Sequence, residues 1–437
     1  MNKTFSAFLA AAALATVSQA ITVTDVSAHQ RWPWNNLIDI DFTIGGASAD
    51  ATFKIDVKAT YANGTQTLIA KRFATDPVVK GGENRITWDI GLDCPNFKAD
   101  DLRVAVTATP FTNGTDGVWM IIDLSGGKDA AKYPVWYTTT SPEIVPTNNY
   151  ALCSADPCRT TQMWLKRIRG GSFMFCQGDS SPGEFKINVT KDFYMGIFEC
   201  TQRQWAQVTG SWPSKFTNPD FRDVRPCESI GHTELMGHFQ WPRSTSPTAS
   251  SFVGKMRART GLATFSLPTE AQWEWANRCG ARNGKHSCYV YSQIRYGMPD
   301  SNMDFGCDLS NGTIFVGTYI PNIWGLYEMF GNVAEWCLDA YVGDSTLRKY
   351  YGALQGLSQE DSTYSNVVVD DPIGPPLANT YDADSPYKQY ESAYESYHVL
   401  RGSAWYNSSG HLSHFKRYHS DNLAAHCKGA RFVVTCE

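Results

Sequence analysis

Histidines are concentrated near the C-terminal end of the chain. His411, His414 and His419 lie in one short segment, and His426 follows it. Imidazole is a ligand for iron, copper and zinc, so this segment offers the donor atoms of a transition-metal site. The spacing matches no standard ligand set, and no acidic ligand is placed beside it. Two interpretations stay open: the histidines form a metal site, or they are loop residues that border a ligand groove. The second is expected, and copper or iron is not an expected cofactor.

Cysteine is the second residue type with chemical potential, and the chain has twelve. The number is even, but no CxxC motif and no paired Cys/His spacing indicates a zinc site. In an oxidising compartment such a set predicts disulfides, each contributing about 2–4 kcal/mol. Short loops are closed if Cys153 pairs with Cys158, Cys279 with Cys288 and Cys427 with Cys436, although the sequence does not determine the connectivity.

The N-terminal residues predict an exported protein. Lys3 precedes an almost wholly apolar run from Phe5 to Val17, and small residues at 18–20 suit a cleavage site. The apolar run is shorter than the roughly 20 residues of a membrane-spanning helix. We therefore expect a signal peptide at residues 1–20, no transmembrane segment, and a protein that is secreted, periplasmic or at the cell surface.

Length and charge limit the classes of function. At roughly 150 residues per domain, 437 residues predict two or three domains. The formal net charge of −5 excludes a polycation that neutralises phosphates, so no nucleic-acid partner is expected. The charge balance makes no prediction about the oligomeric state.

Two parts of the chain have different patterns. Residues 21–140 contain alternating apolar strands, including 37–44, 52–57, 85–90 and 102–106, separated by turn dipeptides. This spacing predicts a β-sandwich of the immunoglobulin or fibronectin kind. Residues 141–159 predict a linker, and residues 160–437 predict short helices among long loops. The capping boxes at Thr201 and Thr269 mark two of these helices, and Ser250 to Thr260 marks a third. The fold class is α+β.

Six segments of the second part carry a family resemblance. They are, in chain order, LKRIRGGSF (165–173), FYMGIFECTQ (193–202), LPTEAQWEWA (267–276), GLYEMFGNVAEW (325–336), VLRGSAW (399–405) and ARF (430–432). This series resembles the sulfatase-modifying-factor family, whose founding member is formylglycine-generating enzyme. The resemblance covers residues 160–437 and implies a calcium-stabilised mixed fold of the C-type-lectin kind.

The resemblance also shows what this chain lacks. Formylglycine-generating enzyme binds copper through two cysteines, which correspond here to about Asn407 and Leu412. The chain has no cysteine between Cys337 and Cys427. Thiolates are the natural ligands of Cu(I), so formylglycine-generating activity is not expected. A related branch of iron-dependent sulfoxide synthases takes most of its ligands from a helical domain that is absent here.

Calcium is the metal that the sequence predicts. Glu328 and Glu335 offer carboxylates, and the carbonyls of Gly331 and Val333 lie between them in one loop. Oxygen donors of this kind suit a hard cation, and the positions match a calcium site of the family. The alternative is that loop amides satisfy Glu328 without an ion. A second family site implies Asn302 and the carbonyl of Met303, with Asp308 as a weaker candidate.

The leading functional hypothesis is ligand recognition without catalysis. The ligand is a peptide or a glycan, bound in the groove that catalytic relatives use for substrate. The resemblance places six residues at that groove: Arg401, Trp405, Asn407, His411, His414 and His419. Arg401 and Arg431 have an alternative role in buried ion pairs. The rival hypotheses are a metal-dependent oxidase or oxygenase that uses the histidines, and a structural cell-surface protein.

Overall fold

Two compact units make up the described chain. The computed structural model describes residues 20–31, 35–48, 51–113, 117–176, 184–238, 246–280, 307–308, 312–358, 366–377, 383–392, 397–406, 416–421 and 423–437. The first unit ends at Pro110 and omits residues 71–77, which belong to the second unit together with residues from Phe111 to Glu437. The predicted signal peptide lies almost wholly outside the described residues.

The first unit contains two antiparallel sheets. Its elements are β1 (Thr22–Gln30), β2 (Leu37–Gly45), β3 (Thr52–Tyr61), β4 (Gln66–Ile69), β5 (Val78–Lys80), β6 (Gly82–Asp89), α1 (Ile90–Asp93) and β7 (Arg103–Pro110). One sheet has the order β1-β2-β6, and in the other β3 pairs with β4, β5 and β7. The alternation predicted for β2 and β3 is confirmed, because Ile40, Phe42, Ile55 and Val57 are all buried. The immunoglobulin or fibronectin topology stays a prediction.

The second unit is built on a six-stranded sheet. Its helices are α2 (Tyr150–Ala155), α3 (Gln202–Thr209), α4 (His232–Met236), α5 (Phe252–Thr260), α6 (Glu270–Arg278) and α7 (Asp344–Leu354). Its strands are β8 (Trp119–Asp123), β9 (Val135–Thr138), β10 (Gln162–Ile168), β11 (Gly171–Met174), β12 (Lys186–Val189), β13 (Phe193–Gly196), β14 (Phe265–Ser266), β15 (Cys307–Asp308), β16 (Gly312–Thr313), β17 (Ala334–Ala340), β18 (Val368–Asp370), β19 (His398–Arg401), β20 (Tyr418–Ser420), β21 (Lys428–Gly429) and β22 (Val433–Thr435). The main sheet has the order β14-β22-β13-β10-β8-β9, and the sheet that carries Glu335, Arg401 and His419 has the order β20-β19-β17-β21.

The boundary between the units lies earlier than residue 140. Strands β8 and β9 belong to the main sheet of the second unit, where β8 pairs with β10. The apolar strand β8 is almost fully buried there. The predicted linker is also partly ordered, since it contains α2 and a helical turn at Pro157–Arg159. The local pattern of β8 and β9 is that of any strand, so only its pairing partner assigns it to a unit.

The predicted helices are confirmed, and their ends follow local chemistry. The Thr201 side chain accepts a hydrogen bond from the backbone amide of Gln204, and the Thr201 amide donates to the side-chain oxygen of Gln204. Gly210, in the left-handed region, caps the end of α3. Thr269 and Gln272 form the same capping box at the start of α6. Helix α5 ends at Gly261, also at positive φ.

The cysteines are thiols in the described part of the chain. Ten cysteine side chains are described there and all ten are free, which corrects the prediction of disulfides for Cys153/Cys158 and Cys427/Cys436. The partner predicted for Cys279, Cys288, lies outside the described residues. Most of the ten are buried, where cysteine packs as a small apolar residue.

Within the described residues, no helix has the length and apolar character that a membrane crossing requires.

Candidate ligand-binding site

The loop between residues 325 and 336 holds its carboxylates against hydrogen-bond donors. Glu328 is buried, and its carboxylate accepts hydrogen bonds from the backbone amides of Gly317 (2.8 Å) and Tyr319 (3.1 Å). Burial raises the pKa of Glu328 to about 7, against the opposing effect of these amides. The carboxylate is therefore satisfied by loop amides.

Glu335 is the second residue of β17 and forms a buried ion pair with Arg431. Arg431 donates to its Oε1 through Nη2 (2.8 Å) and Nε (3.0 Å), and the indole of Trp273 donates to Oε2 (2.7 Å). Arg431 also donates to the carbonyls of Ile197 and Tyr327. These contacts agree with the predicted role of Arg431 in a buried ion pair.

A third buried carboxylate, Glu199, was missed at the sequence level. Its Oε2 accepts from the Asn332 amide (2.7 Å) and its Oε1 from the Val333 backbone (3.1 Å). Burial, and then repulsion from Glu335, raises the pKa of Glu199 well above its usual value. The available signal was an acidic residue within the apolar segment that follows β13.

The described contacts do not fit a cation held by Glu328 and Glu335. Backbone amides donate to both oxygens of Glu328, and an arginine already neutralises Glu335. Asn302 and Met303, of the second predicted site, lie outside the described residues. Across the described ranges, no group of three or more His, Cys, Asp and Glu side chains is arranged to hold a metal. The calcium prediction therefore depends on the resemblance alone.

Arg401 lies in the core of the second unit. Its guanidinium pairs with Glu274 and lies 5.2 Å from the ring centre of Trp273. It also donates to the carbonyl of Lys416 (2.8 Å), and its side chain is fully buried. Of its two predicted roles, the structure places it in the buried ion pair.

The predicted histidines are only partly described. Asn407, His411 and His414 lie outside the described residues. His419 is on β20, between the rings of Tyr341 (4.3 Å) and Tyr397 (4.9 Å). Desolvation and the nearby Arg417 lower its pKa. This environment favours a neutral, stacked imidazole.

Trp405 is the predicted groove residue around which described side chains converge. Phe216, Trp405, Tyr406 and His426 form an aromatic cluster, in which the Trp405 ring lies 5.6 Å from Phe216, 5.5 Å from Tyr406 and 5.7 Å from His426. The Trp405 indole donates to the His426 carbonyl (3.1 Å), and its backbone amide donates to the carbonyl of Asn332 (2.9 Å). Trp405 is half-buried and Tyr406 is 51% exposed, so the cluster is fixed at its base and open to solvent. Phe216 comes from a distant segment and had no sequence signal, whereas the sequence showed His426 only as a neighbour of the histidine segment.

Known proteins resemble parts of the chain. It is 26% identical over 224 residues to the chaperone protein LppX of Paenibacillus barcinonensis, which covers 44% of this chain and 78% of that protein. It is 28% identical over 144 residues to formylglycine-generating enzyme of Thermomonospora curvata, which covers 32% of this chain and 43% of the enzyme. The match thus spans less than half of the enzyme's length.

A solved structure of variable protein 1 from Treponema denticola also resembles the chain. The two are 19% identical with a TM-score of 0.42, over 63% of this chain and 96% of that one.

The family itself follows from a longer match. The six motif segments lie on the strands, helices and loops that build the second unit, from β10 to the residues just before β22. A family model described as the sulfatase-modifying factor enzyme 1-like domain matches residues 151–435, and the chain belongs to this family.

Proposed function

We propose that this protein is an exported recognition module that binds a polypeptide segment at the aromatic cluster and does not generate formylglycine. The observation that carries the proposal is the arrangement of Trp405, anchored by two hydrogen bonds with exposed Tyr406 at its edge. Tryptophan and tyrosine dominate the binding energy of protein interfaces when their own positions are rigid.

The absence of the copper ligands supports a non-catalytic role. By the resemblance, the positions of the two copper-binding cysteines fall at about Asn407 and Leu412, and the sequence has no cysteine between Cys337 and Cys427 that takes their place. Amide and alkyl side chains do not replace thiolates as ligands of Cu(I). Export, predicted from residues 1–20, gives such a module access to extracytoplasmic partners.

Peptide display tests the binding proposal. We expect the secreted protein to select a consistent peptide motif, and Trp405→Ala and Tyr406→Ala each to weaken binding about tenfold or more. Leu354→Ala removes a comparably exposed apolar side chain (47%) at the end of α7 and is the matched control. The proposal is contradicted if the protein binds glycans on an array but selects no peptide. It is also contradicted if both cluster variants bind the selected peptide as tightly as the unaltered protein does.

A second assay tests the lack of catalysis. The purified protein, supplied with copper, a thiol reductant and oxygen, is expected to leave the cysteine of a sulfatase-derived peptide unoxidised. Formation of an aldehyde that depends on this protein refutes the non-catalytic part of the proposal. Metal analysis of protein purified without chelators separately tests the calcium that the family resemblance implies. Stoichiometric calcium supports that part of the resemblance, with ligands other than the carboxylates of Glu328 and Glu335 in their described contacts.

A further inference from the structure

A polar cleft lies among α3, α4 and α5, built from residues outside the aromatic cluster. Its volume is about 410 Å³, within the range of pockets that bind small ligands. The floor is apolar and rigid, because the buried rings of Trp205 and Phe252 stack with centres 4.8 Å apart. The walls carry mainly hydroxyl groups and three titratable side chains.

Two glycines allow Thr248, in one wall of the cleft, to pack closely against α4 and α5. Gly237, at the end of α4, has a φ of +73°, and a Cβ there would lie 2.0 Å from the Thr248 hydroxyl. A Cβ on Gly254, inside α5, would lie 1.9 Å from the Thr248 carbonyl. Thr248 is thus fixed between the two helices, and its amide donates to the Met236 carbonyl (3.1 Å). The cleft is formed before any ligand arrives.

Charges of both signs face this cleft without pairing. Glu234 and Lys255 both line it, and neither has an ion pair with the other or with another charged group in the described part of the chain. Glu234 is held in place because its Oε2 accepts from the Gly231 amide (3.0 Å). An unpaired carboxylate and an unpaired ammonium group in one cleft are complementary to a ligand that carries both opposite charges.

We propose that this cleft binds a small zwitterion of the amino-acid class. Glu234 receives the ligand's ammonium group, Lys255 receives its carboxylate, and the hydroxyls of Thr233 and Ser250 bind the remaining polar atoms. The Trp205–Phe252 floor contacts the ligand's apolar part. This site is independent of the aromatic cluster and of the function proposed for it.

Thermal-shift and calorimetric titrations of the full secreted protein test the proposal. The probes are single L-amino acids, together with the methyl ester and the N-acetyl derivative of each one that binds. We expect at least one amino acid to raise the Tm, and the two derivatives, each of which lacks one charge, to bind at least about tenfold more weakly. The proposal is overturned if no amino acid binds, or if the derivatives bind as tightly as the amino acid from which they are made.

Variants assign the two charges to their residues. Glu234→Gln keeps an acceptor for Gly231, and Lys255→Gln keeps most of the side-chain length, so each is expected to retain the ligand-free Tm. Each is expected to lose about tenfold in affinity, whereas the exposed controls Glu143→Gln and Lys186→Gln bind like the unaltered protein. Wild-type affinity in both cleft variants overturns the assignment. If a variant does not fold, the derivative titrations on the unaltered protein still decide the question.

Discussion

Asp339 is a buried carboxyl group that holds its proton in the folded state near neutral pH. Burial, and then the neighbouring Glu270, raises its pKa from 3.8 to about 8. The unfolded chain has released this proton above about pH 4, so the group's contribution to stability is full below that pH and is lost as pH rises towards 8. Asp339→Asn removes the titration and keeps an acceptor for the Glu270 amide.

We therefore expect the stability of Asp339→Asn relative to the unaltered protein to increase with pH. The gain is at most about 1.4 kcal/mol per pH unit between about pH 5 and pH 8. Urea unfolding at several pH values measures it. Asp129→Asn, at a side chain that is 84% exposed, is the surface control. A flat difference for Asp339→Asn contradicts the assignment.

The ion pair of Arg431 with Glu335 predicts a strongly asymmetric double-mutant cycle. Arg431→Met leaves Glu335 as a buried unpaired charge and is expected to lower the free energy of unfolding by about 3–5 kcal/mol. Glu335→Gln on that background removes the charge and is expected to recover part of the loss. Denaturant unfolding of both single variants and the double variant measures the cycle. Equal losses in Arg431→Met and in the double variant are the contrary result.

At the scale of elements, α5 contains a glycine that packing requires and that helix propensity disfavours. Alanine in a helix interior is normally more stable than glycine by about 1 kcal/mol. At Gly254 the new methyl group meets the Thr248 carbonyl, so Gly254→Ala is expected to destabilise the protein and to weaken ligand binding in the cleft. Gly343→Ala, before α7, meets no atom within 4 Å at a φ of −61° and is the matched control. Thermal unfolding compares the two variants. A higher Tm for Gly254→Ala than for the unaltered protein contradicts the prediction.

At the scale of the whole molecule, a short segment changes units. Residues 71–77 lie between strands of the first unit in sequence but belong to the second. Phe73 is fully buried and exchanges two backbone hydrogen bonds of 2.8 Å with Tyr137. Phe53 is the equivalent buried phenylalanine in the first unit.

Calorimetry of the two phenylalanine variants tests this assignment. Phe73→Ala is expected to lower the free energy of unfolding of the second unit by about 3–5 kcal/mol, because it leaves a cavity in that core. Phe53→Ala is expected to have the same effect on the first unit. A change in the same transition for both variants shows that the two units unfold together. That outcome contradicts independent cores.

Local interactions were readable from the sequence because their partners are close in the chain. The capping boxes at Thr201 and Thr269 and the left-handed ends at Gly210 and Gly261 involve residues three or four positions apart. The alternation in β2 follows from a single buried face. The family was readable for a related reason, since its motifs are short segments in a fixed order.

Contacts between distant segments were decided by tertiary structure alone. The sequence by itself determined the helix ends, the strand periodicity, the loss of the copper cysteines and the family. Only the fold assigned β8 to the second unit, left ten cysteines as thiols, paired Glu335 with Arg431 and brought Phe216 to Trp405. Each of these depends on which residues share a low-dielectric core or a common surface. A one-dimensional pattern does not encode that proximity, because burial and pairing energies arise between residues that are far apart in the chain.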